Sequence, residues 1–112
     1  MDLTPVQLTV HQLSKTLEVE FPGGECFSLP FEYLRVFSPS AEVRGHGGQG
    51  GTLVLDKQNV NIIAIEPVGN YGIKPIFDDG HSSGIFSWTT LYELGQQQEQ
   101  NWQSYLSSIS QK

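Results

Sequence analysis

The sequence predicts an α+β fold: a β-rich single domain of antiparallel hairpins with one short helix and a C-terminal helix. Three observations predict it. Apolar and polar residues alternate through much of the first thirty positions, glycines and prolines punctuate the chain at short intervals, and the apolar residues after Ser87 recur at helical spacing. A chain of 112 residues has the size of one core rather than two. Residues 1–95 are read as the body of the domain and 96–112 as a helical extension of it.

Val6, Leu8 and Val10 alternate with Gln7, Thr9 and His11, and Leu17, Val19 and Phe21 alternate with Thr16, Glu18 and Glu20. Each is the period-2 pattern of a half-buried strand, and the polar stretch His11–Lys15 joins them as a hairpin. Pro22-Gly23-Gly24-Glu25 is a second turn, so Cys26 to Leu29 makes a short third strand. Pro30 suits the start of a helix, where its missing N–H costs nothing. Phe31 and Leu34 then share one face of a helix that runs to about Val36.

Five glycines between Arg44 and Thr52 leave little that can pack, which predicts an exposed, mobile loop. It lacks the Gly-Lys-Ser/Thr ending of a phosphate loop. Val60 to Val68 is apolar and β-branched on both faces, the composition of a central strand covered on two sides, with Pro67 placing its end near an edge or bulge. Tyr71 to Phe77 and Gly84 to Trp88 flank the polar reversal Asp78-Asp79-Gly80-His81-Ser82-Ser83 and are expected to pair antiparallel, with Gly80 at positive φ. Ser87 is a plausible N-cap for the helix carrying Leu91, Leu94, Trp102, Tyr105, Leu106 and Ile109. Gly95 and Gln96-Gln97-Gln98 weaken its middle, so the pattern fits one helix or two.

Six Lys/Arg against twelve Asp/Glu give a formal charge of −6, and the cations are scattered. A strip that neutralises phosphates is therefore not expected, which argues against nucleic acid and against an anionic membrane surface. No apolar run approaches the ~20 residues of a membrane span, and the first residues do not read as a signal peptide; the expectation is a cytoplasmic protein. Cys26 is the one cysteine, so neither an internal disulfide nor a multi-cysteine zinc site is available, and a reduced, packed thiol is expected.

No histidine opens the His-x-Asp/Glu of an iron triad: His11 precedes Gln12-Leu13, His46 precedes Gly47-Gly48, and His81 precedes Ser82-Ser83. His-Glu-x-x-His and Gly-x-Ser-x-Gly are absent too. The expectation is no enzyme and no cofactor. His81, beside Asp78 and Asp79, is the best single candidate, either as a turn histidine bonding backbone or as a ligand. A weaker mixed site would join His46, Asp78 and His81 around iron or zinc. Trp88 is assigned to the core, whereas Trp102 can serve the core or a partner.

Three stretches carry a resemblance. They are Tyr33-Leu34-Arg35-Val36-Phe37-Ser38-Pro39-Ser40-Ala41-Glu42-Val43-Arg44-Gly45-His46-Gly47, Ile65-Glu66-Pro67-Val68-Gly69-Asn70-Tyr71-Gly72-Ile73, and Phe77-Asp78-Asp79-Gly80-His81-Ser82-Ser83-Gly84-Ile85-Phe86-Ser87-Trp88. Together they resemble the N-terminal domain of gamma-butyrobetaine hydroxylase and the small bacterial proteins of uncharacterised function built from that domain alone. In the hydroxylases the leucine–arginine pair precedes a Cys-Pro-Cys-x-x-Cys segment that, with the hairpin histidine, looks like a structural zinc site. Laid on this chain, the cysteine positions are Ser38, Ser40 and Val43, and only His81 remains. The resemblance thus implies the fold without the metal, and places His81 near Ser38 and Ser40. It does not imply hydroxylation, because the hydroxylases' iron triad belongs to a separate oxygenase domain. A related domain joined to iron–sulfur cluster carrier ATPases suggests an accessory role in metal-cofactor assembly.

The functional expectation is a non-catalytic binding module for a protein partner, using Arg44, His46, Asp79 and Trp102. The alternative is a metal-binding accessory protein linked to iron–sulfur assembly or to an oxygenase partner. The chain itself is expected as a monomer or a homodimer, the latter through the C-terminal helix.

Overall fold

The computed structural model describes residues 4–39, 57–82 and 84–110. Strands β1 (Gln7–His11), β2 (Thr16–Glu20) and β3 (Cys26–Pro30) form an antiparallel sheet in that order. Leu8 pairs with Val19 and Val10 with Leu17, so the alternation in sequence becomes one apolar and one polar face. Pro30 caps helix α1 (Phe31–Val36), which returns Phe31, Tyr33 and Leu34 to the core.

A second antiparallel sheet orders β4 (Ile62–Val68), β5 (Gly72–Phe77) and β6 (Phe86–Ser87). β4 is an edge strand, not the doubly covered central strand its composition suggested. Only Ile62 is buried along it, while Ile63, Ala64, Glu66 and Pro67 are exposed. Its apolar composition misled because an edge strand needs only its core-facing residues covered. The bulge between Ile62 and Ala64 and the lack of an N–H at Pro67 both suit an edge. The expected antiparallel pairing of β5 with β6 is present but short, linking Gly72 to Ser87 and Ile73 to Phe86. Gly80 has φ +94°, the conformation its place in the reversal requires.

Ser87 caps helix α2 (Trp88–Gln96), its side chain accepting from the Thr90 N–H at 3.1 Å. The chain breaks at Gln97 and resumes as α3 (Gln98–Ser110), which settles the helical region as two pieces. Gly95 allows α2 to lie on β3, since a Cβ there would overlap the Phe27 ring. Leu17, Val19 and Leu29 from the first sheet, Ile62, Phe77 and Phe86 from the second, and Leu91 from α2 build one shared core. The Tyr33 hydroxyl ties the helices together, donating to the Leu94 carbonyl at 2.7 Å and accepting from Asn101 Nδ2 at 3.0 Å.

Among the described residues no helix is long and apolar enough to cross a membrane. Cys26 is exposed rather than packed, because it lies on the polar face of β3. Its thiol donates to Glu18 at 3.3 Å, and that bond, with the charges of Glu18 and Glu20 nearby, pushes the thiol above its usual range. The other oxygen of Glu18 meets His11 Nε2 at 2.8 Å, and the two bonds lower the Glu18 pKa.

Candidate functional site

Helix α1 ends where the turn after β5 begins to fold back, and the two segments meet through side chains. The turn is closed by its own backbone: Gly80 N–H donates to Phe77 O at 3.2 Å and Phe77 N–H to His81 O at 3.0 Å. That closure tucks His81 against the Phe77 ring, with centroids 5.9 Å apart. His81 Nε2 then lies 2.9 Å from Ser38 Oγ, with the two residues only 5% and 1% exposed. Gly84 lies against Ser38, and a Cβ there would overlap its Oγ. Glycine is therefore the residue that lets the returning strand pass over the serine.

A charged cluster joins the same two segments. Asp79 Oδ2 accepts from Arg35 Nε at 2.9 Å and Lys57 Nζ at 2.6 Å, and Oδ1 accepts from the His81 N–H at 3.1 Å. Burial alone would raise the Asp79 pKa, but Lys57, the His81 amide and Arg35 outweigh it and hold the carboxyl at about 2. It is ionised at neutral pH and too weakly basic to take up a proton. Asp78 is occupied separately, its Oδ1 accepting from the Asn61 N–H at 3.1 Å. Arg35 Nη1 is buried, with no hydrogen-bond partner among the described residues.

The zinc chemistry the resemblance brings to mind does not fit these residues. Ser38 supplies a neutral hydroxyl already in direct contact with the imidazole, and valine at 43 has no donor atom. Among the described residues no three His, Cys, Asp or Glu side chains converge on a point that would hold a metal ion. Ser40, Val43, Arg44 and His46, and with them the glycine-rich loop, lie outside the described residues.

The described surface also holds a groove of about 450 Å³ at the junction of α2 and α3. Pro30 and Tyr33 form one wall; Gly95, Gln96, Gln98, Glu99, Trp102 and Gln103 form the other. Trp102 stacks on Tyr105 at 4.8 Å and meets Tyr33 edge-on at 6.0 Å. Trp88, by contrast, packs against the core and spends its indole N–H on Asn70 O at 2.9 Å.

Comparison with known proteins places this geometry. The family model described as "Gamma-butyrobetaine hydroxylase-like, N-terminal" matches residues 8–92. The chain belongs to that family. A crystal structure of a protein of unknown function from Acidithiobacillus ferrooxidans, assigned to the DUF971 family, is 33% identical with a TM-score of 0.70. The match covers 82% of this chain and 92% of that one. Two NMR solution structures are 45% and 44% identical, with TM-scores of 0.83 and 0.78. They cover 97% and 96% of this chain, and the matches span 81% and 85% of theirs. No curated protein matches the chain.

Of the residues singled out in the sequence, the family domain brings Ser38, Asp79 and His81 together and places Trp102 apart, in the groove. Arg35 entered the sequence reading only within the family motif, and Lys57 carried no signal, being separated from Asp79 by 22 positions. The glutamines of the groove read only as a weak helical stretch. Their common function as a wall arises from the break at Gln97.

Proposed function

We propose that this family domain is a non-catalytic accessory module that binds a protein partner in the groove at the α2–α3 junction. The observation that carries the reading is Trp102, an aromatic side chain that lines a groove beside the side-chain amides of Gln96, Gln98 and Gln103. Aromatic rings with a polar edge contribute disproportionately to protein contacts, and side-chain amides can match the donors and acceptors of a bound backbone. The absence of catalysis is supported by the polar cluster itself. Ser38 and His81 are buried and in contact with each other, and the Asp79 oxygens are already engaged by donors of the chain.

A photo-crosslinking residue at Gln103, compared with one at Lys74 outside the groove wall, tests this in the native cytosol. Discrete adducts are expected from position 103 alone, and Trp102→Ala, shown folded by its thermal melt, should remove them. The same adducts from both positions, or their survival in Trp102→Ala, would sink the groove as the contact site.

A further inference from the structure

Strand β1 is built the wrong way round for an isolated sheet edge. Leu8 and Val10 share the apolar face with Val19 and Leu17, yet they are 36% and 37% exposed while those partners are 0% exposed. On the same strand Thr9 and His11, of the polar face, are the more covered residues. The cause is position. Helix α2 packs on β3 through Gly95 and Phe27, and β1 lies two strands away at the far side of the sheet. Val6 before the strand and Leu13 in the hairpin turn add to the exposed apolar surface.

Edges are ordinarily blunted by charge, proline or a bulge. β4, the edge of the other sheet, has both a bulge and Pro67, with Glu66 and Lys74 paired across it at 3.3 Å. Gln7–His11 contains no proline and no Lys, Arg, Asp or Glu, and its pairing with β2 is in continuous register.

We propose that β1 is a self-association edge, pairing antiparallel with β1 of a second copy about a two-fold axis at Thr9. The sequence is self-complementary in that arrangement: Leu8 faces Val10 of the other copy, Gln7 faces His11, and Thr9 faces Thr9. Apolar side chains stay on one face of a continuous six-stranded sheet, and no formally charged Asp, Glu, Lys or Arg is opposed. That matters for a chain of net charge −6, whose copies repel one another overall. The pairing is isologous and so closes at two copies. This surface is separate from the groove, and neither reading depends on the other.

Five-residue edge pairing buries less than the ~1,200 Å² of a standard interface, so the expected dimer dissociates with a Kd of about 10–100 µM and tightens as salt rises. Sedimentation across that concentration range reads it. Val10→Lys should weaken association at least ~10-fold. Leu106→Lys on exposed α3 should leave it unchanged. In the wild-type chain, amide exchange through Gln7–His11 should slow as concentration rises while β4 stays constant, a readout independent of whether any variant folds. A chain that remains monomeric throughout, a dimer lost in Leu106→Lys but kept in Val10→Lys, or concentration-independent exchange in β1 would overturn the proposal.

Discussion

Asp79 accepts from two cationic side chains and one backbone amide, and that convergence holds its ionised form in place. Its pKa is lowered from 3.8 to about 2, so its contribution to stability is complete above about pH 4 and lost as pH falls toward 2. Asp79→Asn should cost about 1–2 kcal/mol at pH 7, after allowing for solvent screening at the lysine end. Most of that difference should vanish by about pH 2. Urea unfolding at both pH values is the check, and an equal cost at both would assign the effect to packing instead. The sequence showed Asp79 as a carboxylate in a turn but could not show its partners. Arg35 lies 44 positions away, a separation that only the fold closes. The Ser38–His81 contact was readable because the family motif places both residues at one site; local periodicity contains nothing of it.

Strands and helices were the more legible level, since alternation and helical spacing are local signals. The hairpins of the first sheet, the short α1 and the Ser87 cap all follow from them. What local pattern could not supply was each element's neighbours. An apolar run reads alike in an edge strand and a central one, which is why composition alone does not distinguish the edge position of β4, and β1 has its apolar face two strands away from the helix that covers β3. Gly95 makes the same point for helices. By propensity it weakens α2, and alanine should add up to ~1 kcal/mol. The structure sets against this the Phe27 ring, which a Cβ would overlap. Gly95→Ala is therefore expected to destabilise the domain by about 1–2 kcal/mol net, since overpacking costs more than propensity returns. A thermal melt higher than that of the parent chain would show that Phe27 moves aside freely.

At the scale of the molecule, two three-stranded sheets and their helices share a single core, and the polar contacts of Ser38 and Asp79 fasten α1 to the turn after β5. Where the hydroxylases it resembles have a cysteine segment beside the hairpin histidine, the chain has a hydroxyl and an imidazole in direct contact. Thiols introduced at positions 38, 40 and 43 would supply the three donors that the resemblance pairs with the hairpin histidine. The triple variant Ser38→Cys/Ser40→Cys/Val43→Cys is expected to bind Zn(II) at least ~10³-fold more tightly than the parent chain. Titration against a chromophoric chelator measures both, and equal affinity would disconnect these positions from the hairpin histidine. Fold class and the Ser38–His81 junction were thus within reach of the sequence, whereas the groove and the open strand edge were not, because each is made by elements distant in the chain.

The same junction bears on the conditions under which the domain keeps its shape. A fastening made of thiolates and an ion can be dismantled by a chelator, by competition for scarce metal, or by oxidation of its sulfurs. A serine hydroxyl resting on an imidazole has none of these liabilities. The contact of Ser38 with His81 that joins α1 to the turn therefore contains no sulfur to oxidise and no ion for a chelator to take away.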